Sequence, residues 1–276
     1  FGDVVNGARR WLHIGVTRIQ PSELMKIAMP LMLAWYFHKR EANLRLFAFM
    51  IAAILLGIPV LLIIKQPDLG TALLVAASGF YVLFLAGLSW KVLVGLGVLA
   101  AASIPVAWPL MHDYQRQRVL TLLDPAQDPL GAGYHTIQST IALGSGGISG
   151  KGWMNGSQSQ LEYLPERHTD FIFAVIGEEF GLVGLVILLL LYLFVVARAL
   201  YMASQTQDTF ARLLTSSLAL TFFVYIFINT GMVSGLLPVV GVPLPLVSYG
   251  GTSMVTLLAG FGILMALYSH GKLIGS

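Results

Sequence analysis

Long apolar runs separated by short polar stretches dominate the chain. A helix needs roughly 20 predominantly apolar residues to cross a bilayer, within a range of about 17–25. Seven runs come close to or exceed this length, at residues 21–37, 46–64, 70–88, 92–111, 171–201, 210–236 and 251–268. Because the runs are continuous rather than alternating, they favour helices over strands. The pattern predicts an all-α fold, a polytopic bundle of transmembrane helices preceded by a loop.

The composition supports this interpretation and excludes several kinds of site. Of the 276 residues, 57% are hydrophobic and 11% are charged, whereas a soluble domain carries about 25% charged residues. There is no cysteine, which excludes disulfides and thiolate metal sites. The net charge of +3 is small, and in a membrane protein it reflects Lys and Arg at the lipid surface rather than nucleic-acid binding.

Basic residues in the short loops predict the orientation in the membrane. Short cytoplasmic loops carry an excess of Lys and Arg. One side of the predicted bundle has seven such residues, Lys39, Arg40, Arg45, Lys91, Arg198, Arg212 and Lys272. The opposite side holds the N-terminal segment, the turn at 65–72, the long loop 112–170 and the segment 241–251. The polar motifs are therefore expected on the outer face.

Two motifs near predicted helix starts combine charge with apolar surroundings. Glu23 and Lys26 are three residues apart and share one helix face. They either form an ion pair that lets the helix end enter the bilayer or line a polar cavity, where Lys26 would suit a phosphate group. Asp68 in KQPDLGTA either caps the following helix or belongs to a site.

The segment LPERHTDFIF at 164–173 passes from charged to apolar within a few residues. Asp170 is its last polar residue. It can cap the next helix, and a carboxylate in a partly desolvated position can also act as a general base near neutral pH. His135 and His168 lack a recognised metal-binding spacing, so no metal ligand is assigned.

Two further features of this region need partners. The glycine-rich stretch at 144–152 matches no nucleotide-binding motif, and we expect a flexible re-entrant connection rather than a phosphate cradle. Glu178 and Glu179 lie about two helical turns beyond Asp170. Acids at that depth must find partners or water, and at least one is expected in a cavity.

Taken together, the motifs resemble those of the SEDS family (shape, elongation, division and sporulation), and its RodA-like members in particular. The resemblance spans nearly the whole chain. It rests on GARRWL at 7–12, QPSELMKIA at 20–28, QPDLGTA at 66–72, HDYQRQR at 112–118, DPLGAGYHTIQS at 128–139, GSGGISGKGW at 144–153, LPERHTDFIFAVIGEE at 164–179 and NTGMVSGLLPVVGVPLPLVSYGGTS at 229–253.

The resemblance implies a ten-helix fold similar to the membrane-embedded GT-C glycosyltransferases. The seven predicted spans would correspond to the fourth to tenth helices, with the first three absent from the chain as given. Residues 1–276 would then form a single SEDS membrane domain. Residues 112–170 would be its large extracytoplasmic loop.

The resemblance also implies the activity, a peptidoglycan glycosyltransferase of cell elongation in the bacterial cytoplasmic membrane. Such an enzyme joins lipid II units into glycan strands with inversion, forming β-1,4 bonds and releasing undecaprenyl diphosphate on the extracytoplasmic face. Asp170 matches the family's essential aspartate. The substrate-binding candidates by the same comparison are Glu23, Lys26, Asp68, Arg10 and Trp11, with Arg167 a weaker one.

Partners and alternatives follow from the same family. A class B penicillin-binding protein would cross-link the new strand, beside lipid II and the undecaprenyl-linked glycan as substrates. A divalent cation, Mg²⁺ or Mn²⁺, would assist at the diphosphate, although no ligand set is legible. Two other functions stay open: a lipid II flippase and a non-catalytic scaffold of the elongation complex.

Overall fold

The computed structural model describes residues 3–5, 8–14, 17–41, 45–111, 113–127, 129, 133–164 and 166–274. All seven predicted runs are helices, with bounds close to those expected. They are α1 Pro21–His38, α2 Leu46–Lys65, α3 Leu69–Leu85, α4 Trp90–Leu110, α8 Ile172–Ser204, α9 Thr209–Val233 and α10 Gly251–Ile274. The all-α membrane fold is therefore confirmed.

The segment before α1 is not the loop that the sequence predicted. It forms a small antiparallel sheet of three strands, β1 Asp3–Val5, β2 Ala8–Ile14 and β3 Thr17–Ile19, in the order β1-β2-β3. Short strands in polar surroundings carry no long apolar run, so hydrophobic periodicity missed them.

Four described helices are long and apolar enough to cross a membrane, namely α2, α8, α9 and α10, the last counted to His270. Shorter apolar helices occur at Leu69–Leu85 and Trp90–Pro105. Much of their apolar surface is not covered by protein. In α2, for example, Phe47, Ile54 and Leu61 are all more than half exposed. Exposed apolar surface on this scale is typical of helices that face lipid.

The chain folds as two compact units, which are described separately. The first contains residues 1–87, 192–225 and 250–276. In it α3 packs against both α1 and α2, and α1 also packs against α10. Its interior includes the buried cluster of Ala199, Ala219 and Leu264.

Local chemistry explains where the helices of the first unit begin. Pro21 occupies the first turn of α1, where its missing N–H costs nothing, and Glu23 lies at the positive end of the helix dipole. Asp68 caps α3 by accepting a hydrogen bond from the Thr71 amide at 3.1 Å.

The second unit contains residues 88–191 and 226–249 and holds the long loop. This loop is more structured than the sequence indicated. It carries α5 Asp113–Leu123, a short 3₁₀ helix at Pro125–Gln127, α6 Tyr134–Ser145 and the single turn α7 Ser157–Gln160.

Helix α8 is interrupted in the second unit at Gly181, where φ is 64° and ψ is −163°. The glycine-rich stretch supplies the hydrogen bonds that the interruption removes. The amides of Lys151 and Gly152 donate to the carbonyls of Glu178 and Glu179, at 3.0 and 2.9 Å. In return the amides of Leu182 and Val183 donate to the carbonyls of Gly147 and Ile148, at 2.9 and 3.1 Å.

This backbone pairing depends on close approach. A Cβ at Gly150, whose φ is +78°, would collide with the backbone of Glu179 and Phe180. The prediction of a flexible connection is therefore wrong. Backbone hydrogen bonds fix this stretch to α8, and its glycines allow the close approach that these bonds need.

Candidate active site

Asp170 lies in the second unit, two residues before α8 begins at Ile172. Among the described residues, no backbone amide in the first turn of α8 donates to its carboxylate, so the capping interpretation is not met. The side chain is half-buried, and its Oδ2 would lie 3.5 Å from a Cβ built on Gly241. The carboxylate therefore lies beside the 241–249 segment without the hydrogen bonds of a helix cap.

This environment changes the acidity of Asp170. Burial, and to a smaller extent the nearby charge of Glu166, together raise the pKa of its carboxyl from 3.8 to about 6. A carboxylate with a pKa of about 6 is largely deprotonated at neutral pH and is a stronger base than an exposed one. Such a value suits a general base.

Glu166 adopts the left-handed conformation at φ 50° and is fixed by its neighbour. The Thr169 hydroxyl donates to the Glu166 carboxylate at 2.7 Å and to its carbonyl at 3.2 Å. The Glu166 carboxylate, whose charge acts on Asp170, is thus fixed in position by a local hydrogen-bonded turn.

The two histidines occupy different positions in this unit. The ring of His135 stacks on Phe171 with centroids 5.7 Å apart, and burial lowers its pKa. His168 accepts a hydrogen bond on Nε2 from Arg167 Nε at 3.2 Å. Neither ring contacts the Asp170 carboxylate through a described hydrogen bond.

Arg167 is engaged within the same unit. Its guanidinium donates to the Ser159 carbonyl and forms an ion pair with Glu162 at 3.2 Å. All three of its nitrogens therefore have partners, which stabilises the loop around α7. A role in binding diphosphate would need these contacts to be replaced.

Glu178 is fully buried and has the partners that the sequence required. Lys151 Nζ lies 2.7 Å from its Oε1, and the amides of Gln158 and Ser159 donate to the carboxylate at 3.0 and 3.2 Å. The hydroxyls of Ser157 and Ser145 add hydrogen bonds at 3.2 and 3.4 Å. The carboxylate thereby joins α8 to three parts of the long loop.

Glu23 and Lys26 lie in the first unit and form the predicted ion pair, with Lys26 Nζ 2.5 Å from Glu23 Oε1. Both side chains are buried, with residue exposures of 7% and 5%. Thr256 donates to the second carboxylate oxygen of Glu23 at 3.3 Å, and Lys26 Nζ lies 4.9 Å from the centre of the Tyr225 ring. The pair is therefore part of the interior rather than a surface anchor.

Lys26 also lines a cavity of about 40 Å³ in the first unit. Its polar lining residues are Lys26, Thr221, Tyr225 and Thr256, and the remaining walls are apolar, including Phe222 and Leu264. The ion pair with Glu23 and the place in a cavity, which were the two interpretations of Lys26, therefore both occur.

The structure confirms that Asp68 caps α3, and its carboxylate also accepts a hydrogen bond from Gln20. Gln20 Nε2 donates to Asp68 Oδ2 at 2.8 Å and to the Ser22 hydroxyl at 2.9 Å. Gln20 therefore links the start of α1 to the start of α3. Sequence reasoning missed it, because an isolated glutamine carries no spacing signal.

Trp11 and Arg10 lie in β2, where Trp11 is half-buried and pairs with Asp3 across the sheet. The side chain of Arg10 lies outside the described residues. The placement on the outer face that the sequence predicted for Asp170, Glu23, Lys26, Arg10 and Asp68 stays a prediction.

The described residues offer no cluster of three side chains that could hold a metal ion by themselves. Within the described ranges, no three His, Asp or Glu side chains come together in a geometry that could hold a metal. The divalent cation expected at the substrate diphosphate would need only one or two protein carboxylates, and it stays a prediction.

Known proteins resemble this chain along almost all of its length. The FtsW/RodA/SpoVE family model, described as cell cycle protein, matches residues 1–273. The peptidoglycan glycosyltransferase MrdB of Escherichia coli strain K12 is 58% identical over 275 residues, which are 99% of this chain and 74% of that protein. A probable peptidoglycan glycosyltransferase FtsW of Geobacter metallireducens is 38% identical, over 99% of this chain and 72% of that protein.

Solved structures share the fold. A chain from a structure on the coordination of polymerization and crosslinking by a peptidoglycan synthase complex matches with a TM-score of 0.82 at 39% identity, covering 98% of this chain and 75% of that one. The rod shape determining protein RodA of Thermus thermophilus matches with a TM-score of 0.69 at 32% identity, covering 98% and 72%. The chain is a multi-pass membrane protein that belongs to the FtsW, RodA and SpoVE family of cell cycle proteins.

Proposed function

We propose that this chain is a peptidoglycan glycosyltransferase that polymerises lipid II into glycan strands during cell elongation. Membership of the family and 58% identity to a protein named as such an enzyme support the activity. The observation that carries the proposal is the half-buried Asp170 carboxylate, with its pKa of about 6, at the entrance to an apolar helix. A membrane-bound acceptor would present its sugar at this boundary.

The proposed reaction is an inverting displacement. The Asp170 carboxylate takes the proton from the acceptor 4-hydroxyl as the oxygen attacks the anomeric carbon of the donor sugar. A β-1,4 glycosidic bond forms, and the bond between the anomeric carbon and the diphosphate oxygen breaks. Undecaprenyl diphosphate leaves with the bonding electron pair, and the proton remains on Asp170 until solvent removes it.

Negative charge grows on the leaving diphosphate in the transition state, so cations that bind it would lower the barrier. Lys26 and Arg10 are the proposed ligands. Arg167 is a weaker candidate, since its guanidinium already contacts Ser159 and Glu162. Glu23, Asp68 and Trp11 are proposed to shape the substrate site around them.

The proposed location is the bacterial cytoplasmic membrane, with the reaction on its extracytoplasmic face. Basic residues in the short loops on the opposite side support this orientation. A class B penicillin-binding protein is the proposed partner. The similarity to a chain of a complex that coordinates polymerization and crosslinking supports such a pairing.

The test is polymerisation of purified lipid II by the purified protein together with its penicillin-binding partner. We expect glycan strands from the wild-type protein and none from Asp170→Asn, with both correctly folded in detergent. Asp124→Asn, an exposed carboxylate of the same unit, is the matched control and should polymerise normally.

Other results would identify a different function. Transport of lipid II across vesicles without glycan formation would indicate a flippase. Restoration of wall synthesis by Asp170→Asn in cells would indicate a scaffold. Either result would refute the proposed activity.

A further inference from the structure

Three consecutive carbonyl groups precede α8 in the second unit, and each accepts a hydrogen bond from a distant part of the chain. The Tyr249 amide donates to His168 O at 2.8 Å. The Ser248 hydroxyl donates to Thr169 O at 2.5 Å, and Asn229 Nδ2 donates to Asp170 O at 2.8 Å. The backbone that carries the candidate base is thus held at three successive positions.

The two side chains in this arrangement have a second contact each. Asn229 is fully buried on α9, and its Nδ2 also donates to Val242 O at 2.8 Å. The Ser248 hydroxyl also accepts from the Leu244 amide at 2.7 Å. Each side chain therefore ties the 168–170 backbone to the 241–249 segment, and both hydrogens of the Asn229 amide are used.

The segment that these residues hold has no regular structure of its own. Asp170 lies outside α8 and does not cap it, and Glu166 occupies a left-handed conformation that non-glycine residues adopt rarely. Helical hydrogen bonds therefore do not fix the direction of the Asp170 side chain. The contacts from Asn229, Ser248 and Tyr249 supply that restraint.

We infer that Asn229 and Ser248 are positioning residues for Asp170. They hold the backbone of the base so that its carboxylate stays beside Gly241 and aims in one direction. A general base must come within about 2.6–3.2 Å of the proton that it removes, and a misplacement of about 1 Å costs on the order of 100-fold in rate. This inference rests on the proposed role of Asp170 in glycosyl transfer.

Variants of the two residues test the inference by steady-state lipid II polymerisation with the partner present. Ser248→Ala removes the donor to Thr169 O, and Asn229→Leu removes both amide donors at similar volume. We expect kcat to fall by about 10-fold or more, because the base is misaligned, while KM changes less than about 2-fold. Ser248→Thr keeps a hydroxyl and should restore most of kcat.

The matched control is Thr230→Val, next to Asn229 on α9. The Thr230 hydroxyl donates only within its own helix, to Ile226 O at 2.8 Å and Phe227 O at 3.3 Å. We expect wild-type kcat and KM. The inference would be overturned if folded Ser248→Ala and Asn229→Leu kept the wild-type kcat. It would also be overturned if only KM changed.

A second measurement does not depend on activity. Hydrogen–deuterium exchange should be accelerated at the amides of Thr169, Phe171 and Tyr249 in Ser248→Ala but not in Thr230→Val. Unchanged exchange at these amides would refute the inference even if the protein polymerised lipid II. If exchange changes as expected but the wild-type protein makes no glycan, the proposed function fails instead and the structural restraint stands.

Discussion

Lys151 lies 2.7 Å from the fully buried carboxylate of Glu178, and this ion pair fastens the glycine-rich stretch to α8. The two partners are not equivalent. The ammonium group of Lys151 is partly exposed and also donates to Ser157, whereas the Glu178 carboxylate accepts from five donors. The carboxylate is therefore the centre of the arrangement and the lysine one of its ligands.

This asymmetry predicts unequal losses of stability. Glu178→Leu leaves two backbone amides and an ammonium group without their acceptor and should cost about 3–5 kcal/mol of unfolding free energy. Lys151→Met leaves Glu178 with four donors and should cost about 1–3 kcal/mol. Thermal unfolding in detergent measures both changes.

A control and a double variant sharpen this prediction. Glu162→Gln disrupts an ion pair that is mostly exposed and should cost under about 1 kcal/mol. Exchanging the charges in Lys151→Glu/Glu178→Lys should not restore stability, since the amides of Gln158 and Ser159 require an acceptor at position 178. Recovery in the exchanged variant would contradict this account.

The pH dependence of polymerisation should report the ionisation of Asp170. A general base works when deprotonated, so kcat/KM should rise with pH around a midpoint near 6. Glu166→Gln removes a negative charge that raises the pKa of Asp170, so its midpoint should move to lower pH. Asp124→Asn is the control, and its midpoint should match the wild-type value. A midpoint that Glu166→Gln leaves in place would contradict the assignment.

The ionisation of Asp170 should lower the free energy of unfolding as the pH rises. Its pKa in the folded protein, about 6, exceeds the value of 3.8 expected when unfolded, so the folded state binds the proton more tightly. The protonated Asp170 side chain therefore contributes its full stabilisation of the folded state below about pH 4. This contribution is lost as the pH rises through about 6. The wild-type protein should therefore lose up to about 3 kcal/mol across this interval, and Asp170→Asn should lose less.

Measuring the unfolding free energy of Asp170→Asn and wild-type protein from pH 4 to 8 tests this prediction. The difference between them should grow with pH in favour of the variant. Asp124→Asn should show no such growth. A constant difference would mean that burial does not perturb Asp170.

Single and double variants of the Glu23–Lys26 pair should distinguish its contribution to stability from its contribution to activity. Removing one partner leaves a buried charge without compensation and should cost about 3–5 kcal/mol, whereas replacing both with apolar residues is often neutral. Lys26→Met alone should therefore unfold readily, and Glu23→Leu/Lys26→Met should recover much of the stability.

The activity of that double variant distinguishes the two roles of Lys26. If Lys26 binds diphosphate, the stable double variant should polymerise lipid II at least about 100-fold more slowly than wild type. Normal polymerisation by the double variant would show that the pair serves the structure alone.

Sequence alone identified the elements with the strongest local signals. Continuous apolar runs predicted all seven long helices, four of which are long and apolar enough to cross a membrane. Asp68 was a candidate cap from the sequence and does cap α3, since capping depends on residues within a few positions. The motifs around Asp170 also identified the family.

The tertiary structure decided what those local signals left open. The glycine-rich stretch pairs with the break at Gly181, and Asn229 and Ser248 reach the backbone around Asp170 across separations of 59 and 79 residues. Such contacts depend on how the chain packs, and no spacing along the sequence encodes them. The raised pKa of Asp170 has the same origin, because desolvation is a property of the folded surroundings. The sequence by itself determined the seven long helices and which acid to examine. Only packing determined the helices of the long loop, how that acid is held and how its pKa is shifted.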